Sequence, residues 1–128
     1  MARLDNSHYH LIGGEAGVHD LVNRFYDLMD SLPEATEIRA MHAKDLTQTR
    51  EKLFMFLSGW LGGPQLYVEK YGHPRLRQRH MPFKIGVLER DQWMLCIRQA
   101  MLDIGLDEDL HQQLGDAFYK TADFMRNQ

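Results

Sequence analysis

The apolar residues of this chain recur at the spacing of an α-helix, and nowhere do they alternate as a half-buried β-strand requires. In residues 18–29 the apolar positions lie three or four residues apart, which places them on one helix face. They are Val18, Leu21, Val22, Phe25, Leu28 and Met29. No internal repeat or low-complexity tract interrupts the pattern. The chain is therefore predicted to be all-α.

Three further helical stripes follow, and glycine or proline bounds them. The second stripe covers 46–60 and stops at the Gly-Gly-Pro sequence of 62–64, the third covers 91–104, and the fourth covers 107–124. The last two helices should pair antiparallel. Residues 33–44 predict a loop with one helical turn, and residues 62–73, which lack a clear period, predict a long connection.

Length, charge and cysteine content limit the class of protein. A chain of 128 residues is expected to form one domain, residues 1–128. A formal net charge of −3 does not favour nucleic-acid binding. Cys96 is the only cysteine, which excludes an internal disulfide and is typical of a reducing compartment. No signal peptide or long apolar run is found, so we expect a cytoplasmic protein that does not enter a membrane.

His80 lies in the segment RQRHMPFKI, at a point where a helix must stop. Pro74 suits the start of a short helix that must end before Pro82, and this helix would hold Leu76 and His80 on one face. An apolar face with cationic flanks fits a haem, whose iron accepts one imidazole and whose propionates need Lys or Arg. The spacing leaves a second interpretation equally open, in which His80 only stabilises the helix end. The other histidines outside the loop at 33–44 are expected at the surface: His8, His10, His19, His73 and His111.

Three longer motifs carry a resemblance to a known family. IGGEAGVHDLVNRFYDLM, FLSGWLGGPQLYVEKYGHPRLRQRHMPFKIG and ERDQW stand in the order and at the spacing of the landmarks of the group II truncated haemoglobins. The resemblance implies a truncated globin fold, in which two helices pack over two and haem b lies between them. It also implies that His80 is the proximal ligand of the iron.

On the distal side, the resemblance maps six residues around the bound gas. Of these, Tyr26, His42 and Trp93 are expected to contact the ligand directly, and His42 departs from the tyrosine or phenylalanine that is commoner in the family. Each has an alternative interpretation, as a core tyrosine, a solvated loop histidine and a packing tryptophan. A further hypothesis is that His42 donates a hydrogen bond to Tyr26 and stabilises its phenolate as an internal iron ligand. The mapped set is Tyr26, His42, Thr49, Leu53, Phe56 and Trp93.

Three residues are candidates for holding the haem propionates: Lys52, Arg79 and, less directly, Tyr67. The alternative is that they are solvated surface groups. Five of the fifteen residues in 70–84 are Lys or Arg. A nucleic-acid site is disfavoured there by the net charge and by the expected lack of exposed aromatic residues among the cations.

These observations leave three functions open. The first is a haem protein that reversibly binds dioxygen and other diatomic gases. The second is an enzyme that uses the same haem to oxidise nitric oxide or reduce peroxide, which would need an external reductase. The third is a helical interaction protein that binds an acidic partner through residues 70–84. Whether the protein is an enzyme cannot be derived from these residues.

Overall fold

The computed structural model of the protein describes residues 7–128, and these contain α-helices and no β-strand. The all-α prediction is confirmed. A short 3₁₀ helix covers Pro33–Ala35. The α-helices are α1 His8–Ile12, α2 Gly14–Ser31, α3 Thr36–Ala40, α4 Thr47–Trp60, α5 Leu66–Tyr71, α6 Leu76–His80, α7 Val87–Asp103 and α8 Glu108–Phe124.

The junction of α1 and α2 explains the first pair of glycines. Gly13 ends α1 with φ +110°, a left-handed conformation that a residue with a Cβ rarely adopts. The chain therefore turns within one residue, and α2 starts at Gly14, before the apolar stripe does. Gly17, one turn into α2, is also buried, and a Cβ at this position would collide with the carbonyl oxygen of Ile12.

The four long helices pack in two pairs. Helix α2 packs against α4, α7 packs against α8, and α2 also crosses α7, which joins the two pairs. The shared core contains fully buried side chains from all four helices, among them Phe25, Leu57, Ile97 and Phe118. Burial of side chains of this size contributes about 1.5–3 kcal/mol each. The fold is thus held mainly by the faces that the sequence pattern identified.

Helix starts follow local hydrogen bonds. Asp107 accepts a hydrogen bond from the Leu110 amide at 2.8 Å, which confirms it as the residue that begins α8. Helix α7 begins before the predicted Asp91, because the Glu89 side chain accepts a hydrogen bond from the Gly86 amide at 2.8 Å and fixes an earlier start.

The connection around residues 33–44 contains α3, as predicted, but the prediction for residues 62–73 was wrong. These residues include helix α5, and the ring of its Tyr67 lies edge-on to Phe56 of α4 with centroids 6.2 Å apart. A six-residue helix is too short to show a period in the sequence. Phe124, which the fourth stripe placed in the core, is instead 63% exposed, because it stands at the last turn of α8 beyond the packed region.

Within residues 7–128, no helix has both the length and the apolar character needed to cross a membrane. The single-domain prediction covers residues 1–128, of which 1–6 lie outside the described residues.

Candidate functional site

A cavity of about 450 Å³ lies among the helices and brings together every residue that the sequence singled out for haem. Its walls come from α2 to α8 and from the segments that follow α3, α6 and α8. The volume falls in the range of ligand pockets in proteins. The predicted residues that line it are Tyr26, His42, Thr49, Lys52, Leu53, Phe56, Tyr67, Arg79, His80 and Trp93.

His80 ends α6 at one side of this cavity. Its Nδ1 atom lies 2.6 Å from the carbonyl oxygen of Leu76, one turn earlier. A carbonyl can only accept, so Nδ1 carries the proton and Nε2 keeps its lone pair. Histidines that bind a metal through one nitrogen usually donate the other N–H in this way. The ring is half-buried, as a ligand at a pocket wall should be.

The start of α6 depends on His73, a histidine predicted to lie at the surface. Arg75 is the only non-glycine residue with positive φ among the described residues, at +47°. Its amide donates to Nδ1 of His73 at 3.0 Å. His73 is exposed as predicted, yet its ring accepts the hydrogen bond that accompanies this unusual backbone conformation. The helix that carries His80 therefore begins at a constrained turn.

Tyr26 lies on α2 and is 4% exposed. Burial raises the pKa of its phenol well above the usual value, although the nearby Arg50 guanidinium opposes the rise. The phenol is therefore neutral over the physiological range and can donate a hydrogen bond. Among residues 7–128, the hydroxyl has no hydrogen-bond partner, and its side chain lines the cavity.

His42 follows α3, and its ring lies edge-on to Tyr26 with centroids 5.8 Å apart. Its Nδ1 lies 2.8 Å from the carbonyl oxygen of Ile38, so Nδ1 carries the proton. Burial lowers the pKa of His42, with the Ile38 hydrogen bond opposing and the charges of Arg39 and His80 adding to the lowering. Neutral His42 can thus offer only a lone pair at Nε2. The geometry therefore opposes the hypothesis that His42 donates a hydrogen bond to the Tyr26 oxygen and stabilises its phenolate.

Trp93 lies on α7 with its ring between those of Phe25 and Phe118, at centroid distances of 5.0 and 5.7 Å. These contacts fix the plane of the indole. The ring is half-buried and lines the cavity, and its N–H has no acceptor in the part of the chain that the structure describes. A donor that is fixed and unpartnered inside a cavity is available for a ligand.

Lys52 and Arg79 reach the cavity from α4 and α6. The Arg79 guanidinium carbon lies 6.0 Å from the centroid of the Tyr67 ring, and its Nε donates to the Pro74 carbonyl oxygen at 2.9 Å. The Lys52 ammonium nitrogen lies 5.7 Å from the centroid of the Tyr71 ring. Neither cation forms an ion pair with a carboxylate within residues 7–128.

One expectation about this region was wrong. Tyr71 and Phe83 stand among the cations of residues 70–84 and are 39% and 43% exposed. The argument that exposed aromatic residues are lacking there therefore fails, because short helices and turns leave both rings partly uncovered.

Ten further residues line the cavity, and most carried no signal in the sequence. Thr121 could have been noticed as the one polar position in the apolar stripe of α8. Glu89 and Arg90 could not, because charged residues at the start of a helix usually face solvent. The additional residues are Ile38, Met41, Leu76, Phe83, Ile85, Glu89, Arg90, Thr121, Ala122 and Met125.

The donor set in the cavity fits a haem. His80 offers one imidazole nitrogen, apolar side chains form much of the wall, and Lys52 and Arg79 offer cations for two carboxylates. Among the described residues there is no group of three or more His, Cys, Asp or Glu side chains that could hold a bare metal ion. A single imidazole in an apolar cavity suits iron that already has ligands from a porphyrin.

Comparison with known proteins gives the family. The family model described as "Bacterial-like globin" matches residues 7–127. The chain is similar to the group 2 truncated hemoglobin YjbI of Bacillus subtilis, with 38% identity over 128 residues that cover 100% of this chain and 94% of that protein.

Two solved structures support the same assignment. The group II 2-on-2 hemoglobin of Agrobacterium tumefaciens superposes with a TM-score of 0.94 at 44% identity, covering 100% of this chain and 99% of that one. The truncated oxygen-avid haemoglobin of Bacillus subtilis superposes with a TM-score of 0.86 at 39% identity, covering 95% and 100%. The arrangement of two helices over two is confirmed. The chain therefore belongs to the bacterial-like globin family, as a group II truncated haemoglobin whose cofactor is haem.

Proposed function

We propose that the protein holds haem b through His80 and reversibly binds dioxygen and other diatomic gases at the haem iron. One observation carries this proposal: a single cavity contains an imidazole with a free Nε2 lone pair and two hydrogen-bond donors without partners, Tyr26 and Trp93. Haem b is favoured because covalent attachment of haem c uses a Cys-x-x-Cys-His sequence, and Cys96 is the only cysteine.

Haem, when bound, would supply an iron that the imidazole of His80 would hold and that would bind a gas. The residues of the chain then have separate tasks. Tyr26 and Trp93 donate hydrogen bonds toward the gas, and the edge-on contact with the His42 ring, 5.8 Å between centroids, keeps the Tyr26 ring in place. Thr49, Leu53 and Phe56 line the α4 wall and restrict water. A donor in such a dry site stabilises a ligand that gains negative charge by more than the roughly 0.5–1.5 kcal/mol of an ordinary hydrogen bond.

The edge of the haem is assigned to Lys52, Arg79 and Tyr67. The two cations lie close to the cavity, and no carboxylate competes for them within the described residues. The contact between Arg79 and the Tyr67 ring supports a shared role in which the tyrosine keeps the guanidinium in place.

Dioxygen is favoured as a ligand by similarity. The Bacillus subtilis protein that superposes on the chain is described as oxygen-avid, and donors in the cavity are what a ligand with partial negative charge requires. The alternative, turnover of nitric oxide or peroxide at the same haem, requires electrons from an external reductase. A reducing compartment such as the cytoplasm is our proposed location, in keeping with the free thiol of Cys96.

The proposal is tested with the purified protein and its native haem. We expect a Soret band, and we expect the ferrous spectrum to change on exposure to dioxygen and to return under argon over repeated cycles. Pyridine haemochrome analysis should identify haem b. Rapid, irreversible oxidation in every cycle would contradict reversible binding. Consumption of nitric oxide or peroxide in the presence of a reductant would instead establish the enzymatic alternative.

A further inference from the structure

Two exposed cations line the cavity and four more lie in residues 70–84, and together they form a surface that we name the cationic rim. Five of them lie in residues 70–84, which contain no Asp or Glu, and the sixth is on α4. The other ten Lys and Arg residues and all eighteen Asp and Glu residues lie outside 70–84, which leaves a formal charge of −8 there. The charge of the chain is thus strongly separated. The cationic rim consists of Lys52, Lys70, Arg75, Arg77, Arg79 and Lys84.

The cations of the rim differ in their partners from five arginines elsewhere in the chain. Within residues 7–128, none of the six lies within ion-pair distance of a carboxylate. In contrast, five arginines elsewhere each pair with an aspartate at 2.6–3.1 Å: Arg24, Arg39, Arg50, Arg90 and Arg126. The rim charges therefore do not take part in the ion pairs that connect the helices. Their field is directed at solvent.

The rim borders the cavity. Lys52 and Arg79 line it, and Lys84 stands between the lining residues Phe83 and Ile85. Lys70 lies 5.4 Å from the Tyr71 ring that Lys52 also approaches. A haem has two propionates, which Lys52 and Arg79 suffice to hold. The other four cations do not line the cavity.

Apolar side chains stand among these cations. Tyr71, Met81 and Phe83 are 39%, 52% and 43% exposed. Arginine, methionine and aromatic residues are the types enriched at protein–protein interfaces. A surface with this composition suits a protein partner better than it suits free ions.

We propose that the cationic rim docks an acidic electron-donor protein at the edge of the haem. This inference rests on the proposed haem function. One electron leaves the flavin or iron–sulfur cluster of the donor and reduces ferric haem iron to ferrous, and no covalent bond forms or breaks. The rim attracts a donor of negative charge, while the −8 carried by the residues outside 70–84 repels it from other faces. Association should therefore be oriented and sensitive to salt.

Binding is tested with the haem-loaded ferric protein and an oxidised acidic flavodoxin, by calorimetric titration at low and high salt. The variant Lys70→Glu/Lys84→Glu changes two rim cations that do not line the cavity. The control Lys44→Glu/Arg98→Glu changes the net charge equally at exposed positions outside the rim. We expect the rim variant to bind at least about tenfold more weakly at low salt and the control to stay within about twofold of the wild type. The rate at which photoreduced flavodoxin reduces the haem should follow the same order.

Three outcomes would overturn the inference: equal affinity of the rim variant and the wild type, equal weakening of the control, or binding of phosphatidylserine vesicles or duplex DNA in place of flavodoxin. All proteins are first checked for the Soret band and for reversible dioxygen binding. If docking fails while both are intact, only the docking surface is refuted. If the Soret band is absent, the haem function itself has failed.

Discussion

The Nδ1 atom of His80 lies 2.6 Å from the carbonyl oxygen of Leu76, one turn earlier in the same short helix. This contact fixes both the orientation of the ring and its tautomer, so Nε2 is left with a lone pair at the cavity wall. A five-residue helix thus presents an imidazole ready to bind a metal. Its length is set by the constrained turn at Arg75 and by Pro82.

Replacing His80 with alanine should remove most of the bound haem. Among residues 7–128, no other histidine offers an imidazole on the α6 side of the cavity. We therefore expect haem affinity to fall by at least about a hundredfold, which corresponds to the loss of one contact of about 2.7 kcal/mol. Soret absorbance per chain and the rate of haem transfer to apomyoglobin measure the effect. His73→Ala is the control, and it should retain haem better than His80→Ala. Wild-type haem content in His80→Ala would refute the proximal assignment.

Replacing Trp93 with phenylalanine should speed the release of dioxygen and barely change that of carbon monoxide. Loss of a hydrogen bond to a charged acceptor costs roughly 1.5–3 kcal/mol, or about ten- to a hundredfold in dissociation rate. Carbon monoxide carries little charge and gains less from an N–H donor.

Stopped-flow measurements with both gases separate this role from packing. Trp60→Phe is the matched control, because Trp60 stacks on Phe118 at 4.7 Å but does not line the cavity. If Trp93→Phe changed both gases equally, or if Trp60→Phe changed dioxygen release as much, the role of Trp93 would be steric.

The free energy of unfolding should decrease as the pH is lowered, and part of this decrease should depend on His42. Burial lowers the pKa of His42 in the folded state below the value of about 6.5 in an unfolded chain. The unfolded state therefore binds more protons as pH falls through this interval, and the free energy of unfolding decreases by at most about 1.4 kcal/mol per pH unit. His42→Phe should remove this component. Urea unfolding at pH 7.5 and 5.5 gives the comparison, and an identical pH dependence in both proteins would contradict it.

Cys96 should report on global unfolding. Its side chain is fully buried, and burial raises the pKa of the thiol to about 11. At pH 8 the thiol is therefore protonated, and burial also blocks the access of a reagent. We expect the native protein to react with Ellman's reagent at least about a hundredfold more slowly than the protein in guanidinium chloride. Fast labelling at pH 8 without unfolding would show that the core opens locally around α7.

Replacement of two buried helical glycines, Gly17 and Gly115, with alanine should change the free energy of unfolding in opposite directions. A methyl group at Gly17 would collide with the Ile12 carbonyl oxygen, so Gly17→Ala should lower the free energy of unfolding by about 1–3 kcal/mol. A methyl group at Gly115 would meet only the Arg98 guanidinium at 3.6 Å, an ordinary contact. Gly115→Ala should therefore raise stability by up to about 1 kcal/mol, because alanine favours helix. Equal effects in chemical denaturation would refute the collision at Gly17.

The long helices and the residues of the cavity could be predicted from the sequence, for two different reasons. Helical spacing of apolar residues reports burial directly, so the core faces of α2, α4, α7 and α8 followed from the pattern. The residues of the cavity came mainly from the resemblance, since the spacing around His80 alone left two interpretations open. All ten predicted residues line one cavity.

What only the tertiary structure decided concerns groups whose state depends on distant neighbours. The sequence places Trp93 on a helix, but the rings of Phe25 and Phe118, at centroid distances of 5.0 and 5.7 Å, fix the plane of its indole. Helix α5 was missed because six residues show no period, and it is held by contacts with α4. The sequence determines which residues are apolar and where a helix must end. Packing determines the burial and the orientation of each side chain, because these depend on atoms far away along the chain.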